Sequence, residues 1–518
     1  MTFRLTSTAL FVMLVACGKK SDGSTKPKDD AAAGPQVAPL TVPPIGVDAI
    51  KRMNFVYEAG AAAYDKALTA YKAKTRDWAV VKQHAQEAVQ KDPQHLDAHY
   101  LLARALSQTG EQAAAVDHLV TVLASDYWRY GPAMTKEKDL TDFFTTQHGQ
   151  AITALATTIA AAYKKRTDEG IWLVARRSAY KWPKDLGAQY STTRGELYAY
   201  DRETKRYLRL THTDHKVAGF VRAPGGTEVA VFGFDKIDRP KTPADAPGTF
   251  VTSWVLIFDT TTWQPIGPKV SVPAAREVAL GYGAGDQLLI GTSAATGRWT
   301  TGEPVVLAVD KTTGKTTKVA TPLPVPRIAL TLDEGRVVRA PDGVTATWTN
   351  EPPTAPSLKT SAGATIEVPE SHLATQSTLA LAPTSGRIAF ATAVDPCAKD
   401  VAPSLYVAEP KGTLKHLLTA KSRFVTRWVD ANTLAYEDGD GALRLWDGTA
   451  GREAGKLENK PGIALDVLSL APAPLCKGSP PVVEPAGAGS GDEPPLPPEE
   501  LPPEEPPGEG SAPITRPQ

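Results

Sequence analysis

Residues 197–214 read LYAYDRETKRYLRLTHTD. From Ile171 onward the period is two and β-branched and aromatic residues dominate, as in LYAY here, which marks strands. Asp201 ends the run, RETKR is a polar turn, and YLRL resumes as a second strand. The phrase recurs. Strands ending in Asp or another polar residue are LYAYD (197–201), VLIFD (255–259), VLAVD (306–310), LYVAE (405–409) and LRLWD (443–447), with a poorer copy at TATWT (345–349). Turns such as DKTTGK (310–315) and PKGT (410–413) lead into the strand that follows.

Working upstream, each phrase carries two earlier strands. The strand just before the quoted one is IWLVARR from Ile171, EVAVFGF from Glu228, QLLIGTS from Gln287, RVVRAPD from Arg336, RIAFATA from Arg387 and TLAYEDG from Thr433. Before these stand VAGFVRAP from Val217, VALGYGAG from Val278, IALTLDEG from Ile328, LALAPTSG from Leu379 and FVTRWVDA from Phe424. That makes six four-stranded phrases, except that the first opens on its second strand at Ile171. The missing strand is IALDVLSLAP, residues 463–472, at the far end of the chain. A last strand that completes the first blade closes a propeller and removes the free sheet edges on which aggregation starts. The expectation is a six-bladed β-propeller over 169–476.

LAPTSGRIAFAT (381–392) and the opening stretch resemble the WD-repeat-like blades of TolB-type proteins, which are periplasmic six-bladed propellers. The resemblance runs from Ile171 to Pro472 and implies the same closed ring. The N-terminal domain of that family is not evident here.

In its place, between Val47 and Lys165, apolar residues recur at three- and four-residue spacing. An offset of 34 residues relates 62–95 to 96–129. Leu102, Ala103, Leu106, Gly110, Ala115, Leu119 and Val122 resemble the tetratricopeptide pattern, and Leu68, Val81, Ala85, Ala88 and Pro93 take matching places. Small Ala88 and Ala115 then fall where two helices touch, and Gly110 in the turn between them. A third, degenerate hairpin is expected from Lys136, closed by a helix through Lys165. Tyr127, Trp128, Tyr130, Phe143 and Phe144 read as core or cap. The fold class is thus multidomain, α then all-β, with helical repeats over 46–168. Such an array offers a peptide-binding concavity, and a plain helical bundle is the alternative.

The N-terminus begins with Arg4 and an apolar run of about ten residues, too short to span a bilayer. It ends Leu14-Val15-Ala16-Cys17, followed by Gly18. This resembles the lipobox of bacterial lipoproteins, which implies a signal peptide over 1–16 and a diacylglycerol on Cys17. Gly18, in place of Asp, leans toward the outer membrane, facing the periplasm, over the inner. A secretory signal with an incidental cysteine is the alternative. Residues 17–45 read as a disordered tether. The tail from Lys477 holds eight acidic and two basic residues and repeats LPPEE at 496–500 and 501–505. That composition suits a solvated polyproline II spacer or a docking motif.

Cys397 and Cys476 could pair in an oxidising compartment, but the propeller would set them on opposite faces. With a net charge of zero, the rest of the chain offsets the tail by about six positive charges, no nucleic-acid signature. No G-x-S-x-G, G-x-G-x-x-G, G-x-x-x-x-G-K-[ST] or H-E-x-x-H occurs, so neither a catalytic set nor a cofactor is expected. His212 and His215 make H-x-x-H but lack a third ligand, and residues 437–441 (EDGDG) lack full calcium spacing. The expected function is a lipid-anchored scaffold that binds unidentified envelope proteins or peptides. The alternative is an enzyme or small-ligand binder working in the propeller channel.

Overall fold

The computed structural model describes residues 39–48, 58–178, 193–223, 225–237, 249–275, 277–294, 305–320, 337–339, 345–349, 357–360, 363, 365–367, 377–382, 385–392, 404–419, 425–437, 443–457 and 463–464. Cys17, Cys397, Cys476 and the tail from 477 lie outside them. The chain forms two compact units, one of 1–45 and 57–163 and the other of 46–56 and 164–518.

The helical unit is a run of hairpins. Helices α1 (Glu58–Lys72) and α2 (Trp78–Lys91) form the first, α3 (Leu96–Gln108) and α4 (Gln112–Ser125) the second. Asp77 starts α2 by accepting hydrogen bonds from the Ala79 and Val80 amides, at 3.0 and 3.3 Å. Pro93 cannot continue that helix, and the ring of His95 caps the next by accepting from the Ala98 amide. Gly110 turns the second hairpin at φ +83°, a conformation most side chains resist. Ala88 and Ala115 are fully buried, so the helices approach closely at the two alanines that the repeat pattern picks out.

The third hairpin is irregular. Its first helix, α5 (Tyr127–Met134), is short and starts nine residues before the expected Lys136, because the aromatic run from Tyr127 already packs. A 3-10 turn (Lys138–Leu140) and α6 (Thr141–Thr145) lead into α7 (Gln147–Glu169). Gly149 makes that last join: a Cβ there would sit 2.1 Å from the Phe143 carbonyl oxygen. Trp128, Tyr130 and Phe143 are buried, as a core-or-cap role requires.

The second unit is built from antiparallel meanders. Strands β4 (Val217–Arg222), β5 (Glu228–Ile237), β6 (Phe250–Asp259) and β7 (Val270–Val272) make the second meander, which a pairing of Val217 with Gly195 joins to the first in one eight-stranded sheet. The third has β8 (Glu277–Tyr282), β9 (Leu288–Ser293), β10 (Val305–Val309) and β11 (Thr316–Val319). The fifth has β16 (Ser377–Leu381), β17 (Ile388–Thr392), β18 (Ser404–Ala408) and β19 (Leu414–Thr419). The sixth has β20 (Val425–Trp428), β21 (Thr433–Glu437), β22 (Leu443–Asp447) and β23 (Arg452–Leu457).

The first sheet joins the two ends of the unit. Strand β1 (Ile171–Ser178) pairs with β2 (Thr193–Asp201), which pairs with β3 (Arg206–Arg209). On its other side β1 pairs with β24 (Ile463–Ala464), Val174 opposite Ala464 and Ala175 opposite Ile463. The C-terminal strand therefore completes the first sheet, as the missing-strand argument requires. Val47 exchanges backbone hydrogen bonds with Tyr207 at 2.9 and 2.8 Å, covering the outer edge of β3. Ile45, inside the stretch expected to be a disordered tether, is buried.

Neighbouring sheets meet through their first strands: β4 with β8, β16 with β20, and β12 (Val337–Arg339) of the fourth sheet with β16. Sheets one and six share a core of Leu173, Tyr198 and Tyr207 with Ala435, Leu443 and Leu445. This succession of four-stranded meanders, closed by β24, is the blade arrangement of a propeller.

The fourth sheet departs from the sequence expectation. Its order is β12 (Val337–Arg339), β13 (Thr345–Thr349), β14 (Ser357–Thr360) and β15 (Thr365–Glu367). Among the described residues Val337–Arg339 is thus the first strand and Thr345–Thr349 the second, each one place earlier than expected. IALTLDEG lies outside the described residues. Strands of three to five residues carry too little alternation to fix their place in a meander.

Where a third strand ends in Asp, the residue has a local cause. Asp259 accepts from the Thr261 and Thr262 amides at 2.8 and 2.7 Å, and Asp310 from Thr312 and Thr313 at 2.9 and 3.2 Å. Asp447 holds the Thr449 and Ala450 amides at 2.8 and 3.0 Å. The carboxylate stands in for a backbone carbonyl and shapes each turn into the fourth strand.

Candidate functional site: the polar and aromatic face of the helical repeats

On α3 the segment Leu96–Gln108 is apolar except for a few residues on one side. Arg104 is the one that organises the others. Its side chain is 11% exposed, and its Nε donates to Asp139 Oδ2 at 3.1 Å while Nη2 donates to Glu137 at 3.0 Å. Nη2 also reaches Asp139 and the Tyr71 hydroxyl. The guanidinium lies 4.3 Å above the Tyr71 ring, a cation–π contact. Arg76 stacks on the same ring from 4.3 Å and donates to Asp139 Oδ1 at 3.2 Å. Gln108 donates to the Asp139 carbonyl at 2.7 Å.

The face continues along α3 toward α5. Asp97 pairs with Arg129 at 2.6 Å and accepts from the Tyr130 hydroxyl at 2.8 Å. Tyr100 and Tyr130 rings lie 5.1 Å apart, and Tyr64 packs 4.5 Å from His95. Burial pushes the Tyr64 and Tyr100 hydroxyls up, so both stay protonated donors at any physiological pH. For Arg104, burial pulls down but Glu137 and Asp139 outweigh it, leaving the guanidinium firmly charged. The result is a band of fixed donors, acceptors and ring faces that suits an extended peptide with carboxylate or carbonyl groups. Residues 137–139 of the chain already take part of that place, and Arg76 stays 41% exposed beside them.

Beneath this face, His99 and His118 meet through their Nδ1 atoms at 2.9 Å, and His99 Nε2 lies 2.9 Å from the Pro93 carbonyl. The carbonyl can only accept, so His99 carries its hydrogen on Nε2 and accepts from His118 Nδ1–H. Burial, with His99 next to it, pulls His118 down to about 4, and burial lowers His99 as well. The pair is neutral at pH 7.

His212 and His215 lie in the loop after β3, which is tied to buried Glu196. That carboxylate accepts from Arg209 at 3.0 Å, the Thr211 hydroxyl at 2.6 Å, and the Thr213 and His215 amides at 2.7 and 2.9 Å. Burial pushes Glu196 up, but Arg209 and the loop groups outweigh it, so it is held ionised below its usual range. The loop that carries H-x-x-H is thus wrapped on a carboxylate through its amides and threonine hydroxyls. Among the described residues no group of three His, Cys, Asp or Glu is placed to hold a metal ion. No helix among them is long and apolar enough to cross a membrane.

Sequence reasoning missed the Arg104 cluster. Its one signal is a charge flanked by Ala103 and Ala105 in an otherwise packed helix. Its partner Asp139 is 35 residues away, beyond any local spacing rule.

No curated protein matches this sequence. Among solved structures, TolB from Acinetobacter baumannii aligns at 9% identity with a TM-score of 0.32, over 62% of this chain and 72% of that one. The profile of the tetratricopeptide repeat family matches residues 76–158. That span takes in α2 to α6 and about half of α7, and with them Arg76, Arg104, Arg129, Glu137 and Asp139 of this face, while Tyr64 and Tyr71 lie before it.

Proposed function

We propose that this chain is a cell-envelope scaffold, anchored by a lipid on Cys17, that captures protein partners on the Arg104 face of its helical repeats. The observation that carries this reading is the half-open cluster in which Arg104 and Arg76 hold the acidic residues Glu137 and Asp139. A face that already binds a carboxylate pair from its own chain has the chemistry to bind another's, and solenoid repeats present such faces to partners. The lipobox at 14–17 supports the anchor and the envelope location, toward the outer membrane. No step of this reading calls on catalysis.

Two experiments test it. Metabolic labelling with a fatty acid should mark the wild type and leave Cys17→Ala unlabelled, with the variant shifting to the soluble fraction; an unlabelled wild type removes the anchor. Pull-down from detergent-solubilised envelopes should lose its specific partners when 46–168 is deleted, whereas full retention would move binding to the sheets or the tail.

A further inference from the structure

Sheets five and six leave a cleft of about 330 Å³ between β19 and the β22–β23 hairpin. Its floor is the edge of Trp446 and its apolar wall is Leu417 and Leu418, both half-buried. Its rim is basic: Lys415 and Arg452 are exposed, and Arg444 is bound to Glu453 at 3.1 and 2.9 Å. Lys415 reaches over the Trp446 ring at 5.5 Å and donates to the Gly451 carbonyl. Counting three cations against Glu453, the lining carries two positive charges, with His416 beside them. The size is at the lower end of small-molecule pockets, which hold roughly 300–1,000 Å³. That leaves room for one or two side chains.

We infer that this cleft is the docking site of the chain's own acidic repeat, LPPEELPPEE at 496–505. The chemistry is complementary: leucine and proline for the apolar wall, paired glutamates for the rim. A polyproline segment arrives pre-extended, so little order is lost on docking. The geometry allows it. The chain leaves β24 at Ala464, in the first sheet, which shares its core with sheet six. From Pro472, where the expected strand ends, to Leu496 is 24 residues (496 − 472), a flexible-linker reach of roughly 25–30 Å. Four glutamates within seven residues (499–505) also match the surplus charge better than one carboxylate could.

Zero-length carbodiimide cross-linking of the full chain, read by mass spectrometry, tests this. Lys415 should join Glu499, Glu500, Glu504 or Glu505 within one chain far more often than the exposed Lys315 and Lys318 of sheet three do. Arg452→Glu should remove most of that signal without changing thermal melting. Free LPPEELPPEE peptide should compete only at roughly millimolar concentration, because a tethered segment sees that effective concentration. Replacing all four glutamates by glutamine, with thermal melting checked to be unchanged, gives the background. Equal yields at the three lysines would overturn the inference. So would Lys415 adducts found only between two chains.

Discussion

The two units use the same pair of groups to opposite ends. In the first sheet, Glu196 and Arg209 are sealed, with side-chain exposures of 0 and 4%, and five donors satisfy the carboxylate. In the helical unit, Arg104 and Asp139 are each 11% exposed, Glu137 is 24% exposed, and Arg76 stands in water beside them. A sealed pair fixes a loop and has no exchange open to it. A half-open pair can trade its partner at small cost, since water or another carboxylate can take the place given up. The architecture explains the difference: a sheet series that closes on itself has interior to spare, while a helical array exposes one face along its length.

The closure of the sheets should show the largest effect. Truncation after Gly462 removes β24 and the rest of the strand expected over 463–472, with its apolar residues Ile463, Leu465, Val467, Leu468 and Leu470. At about 1.5–3 kcal/mol per buried side chain, the gross loss approaches ~10 kcal/mol, comparable with a domain's net stability. Truncation after Gly478 should leave melting unchanged, and equal melting of the two would show that β24 does not close the unit. Next comes the sealed pair. Glu196→Ala strands Arg209 in the core and should cost about 3–5 kcal/mol in urea unfolding. A loss below about 1 kcal/mol would place that carboxylate in water.

The half-open cluster should be more forgiving. Arg104→Met keeps the stem that packs on Tyr71 and should cost about 1–2 kcal/mol, because Glu137 and Asp139 regain water. A loss as large as that of Glu196→Ala would erase the contrast between the units.

The smallest effect is the pH response of the histidine pair. His118 is held at about 4 in the fold against an ordinary value of 6.5, so the unfolded chain takes up its proton first on acidification. Its contribution is complete above pH 6.5 and falls as pH drops toward 4. Partial exposure trims it to about 1–2 kcal/mol. Helical ellipticity in urea at pH 7 and pH 5 should separate wild type from His118→Leu, whose slope is flatter; parallel slopes would exclude the pair as the cause.

Legibility in the sequence tracked distance along the chain. The Asp-capped turns were readable because carboxylate and amide lie two or three residues apart, as in Asp259 with Thr261. The closing strand was readable because Ile171 opens a phrase with a strand missing. The fourth sheet was misplaced by one strand because Val337–Arg339 is three residues long. Arg104 with Asp139, and the cleft between β19 and β22, join residues that only the fold makes neighbours.

The central claim is that partners meet the Arg104 face. Site-specific photocross-linking in intact cells tests it, with a benzophenone side chain at Tyr71 compared with Val251, an exposed position on β6. The account predicts discrete adducts at Tyr71 that fade when Arg104 is replaced by Met, and none at Val251. Adducts at Val251 with a bare Tyr71 position would contradict it.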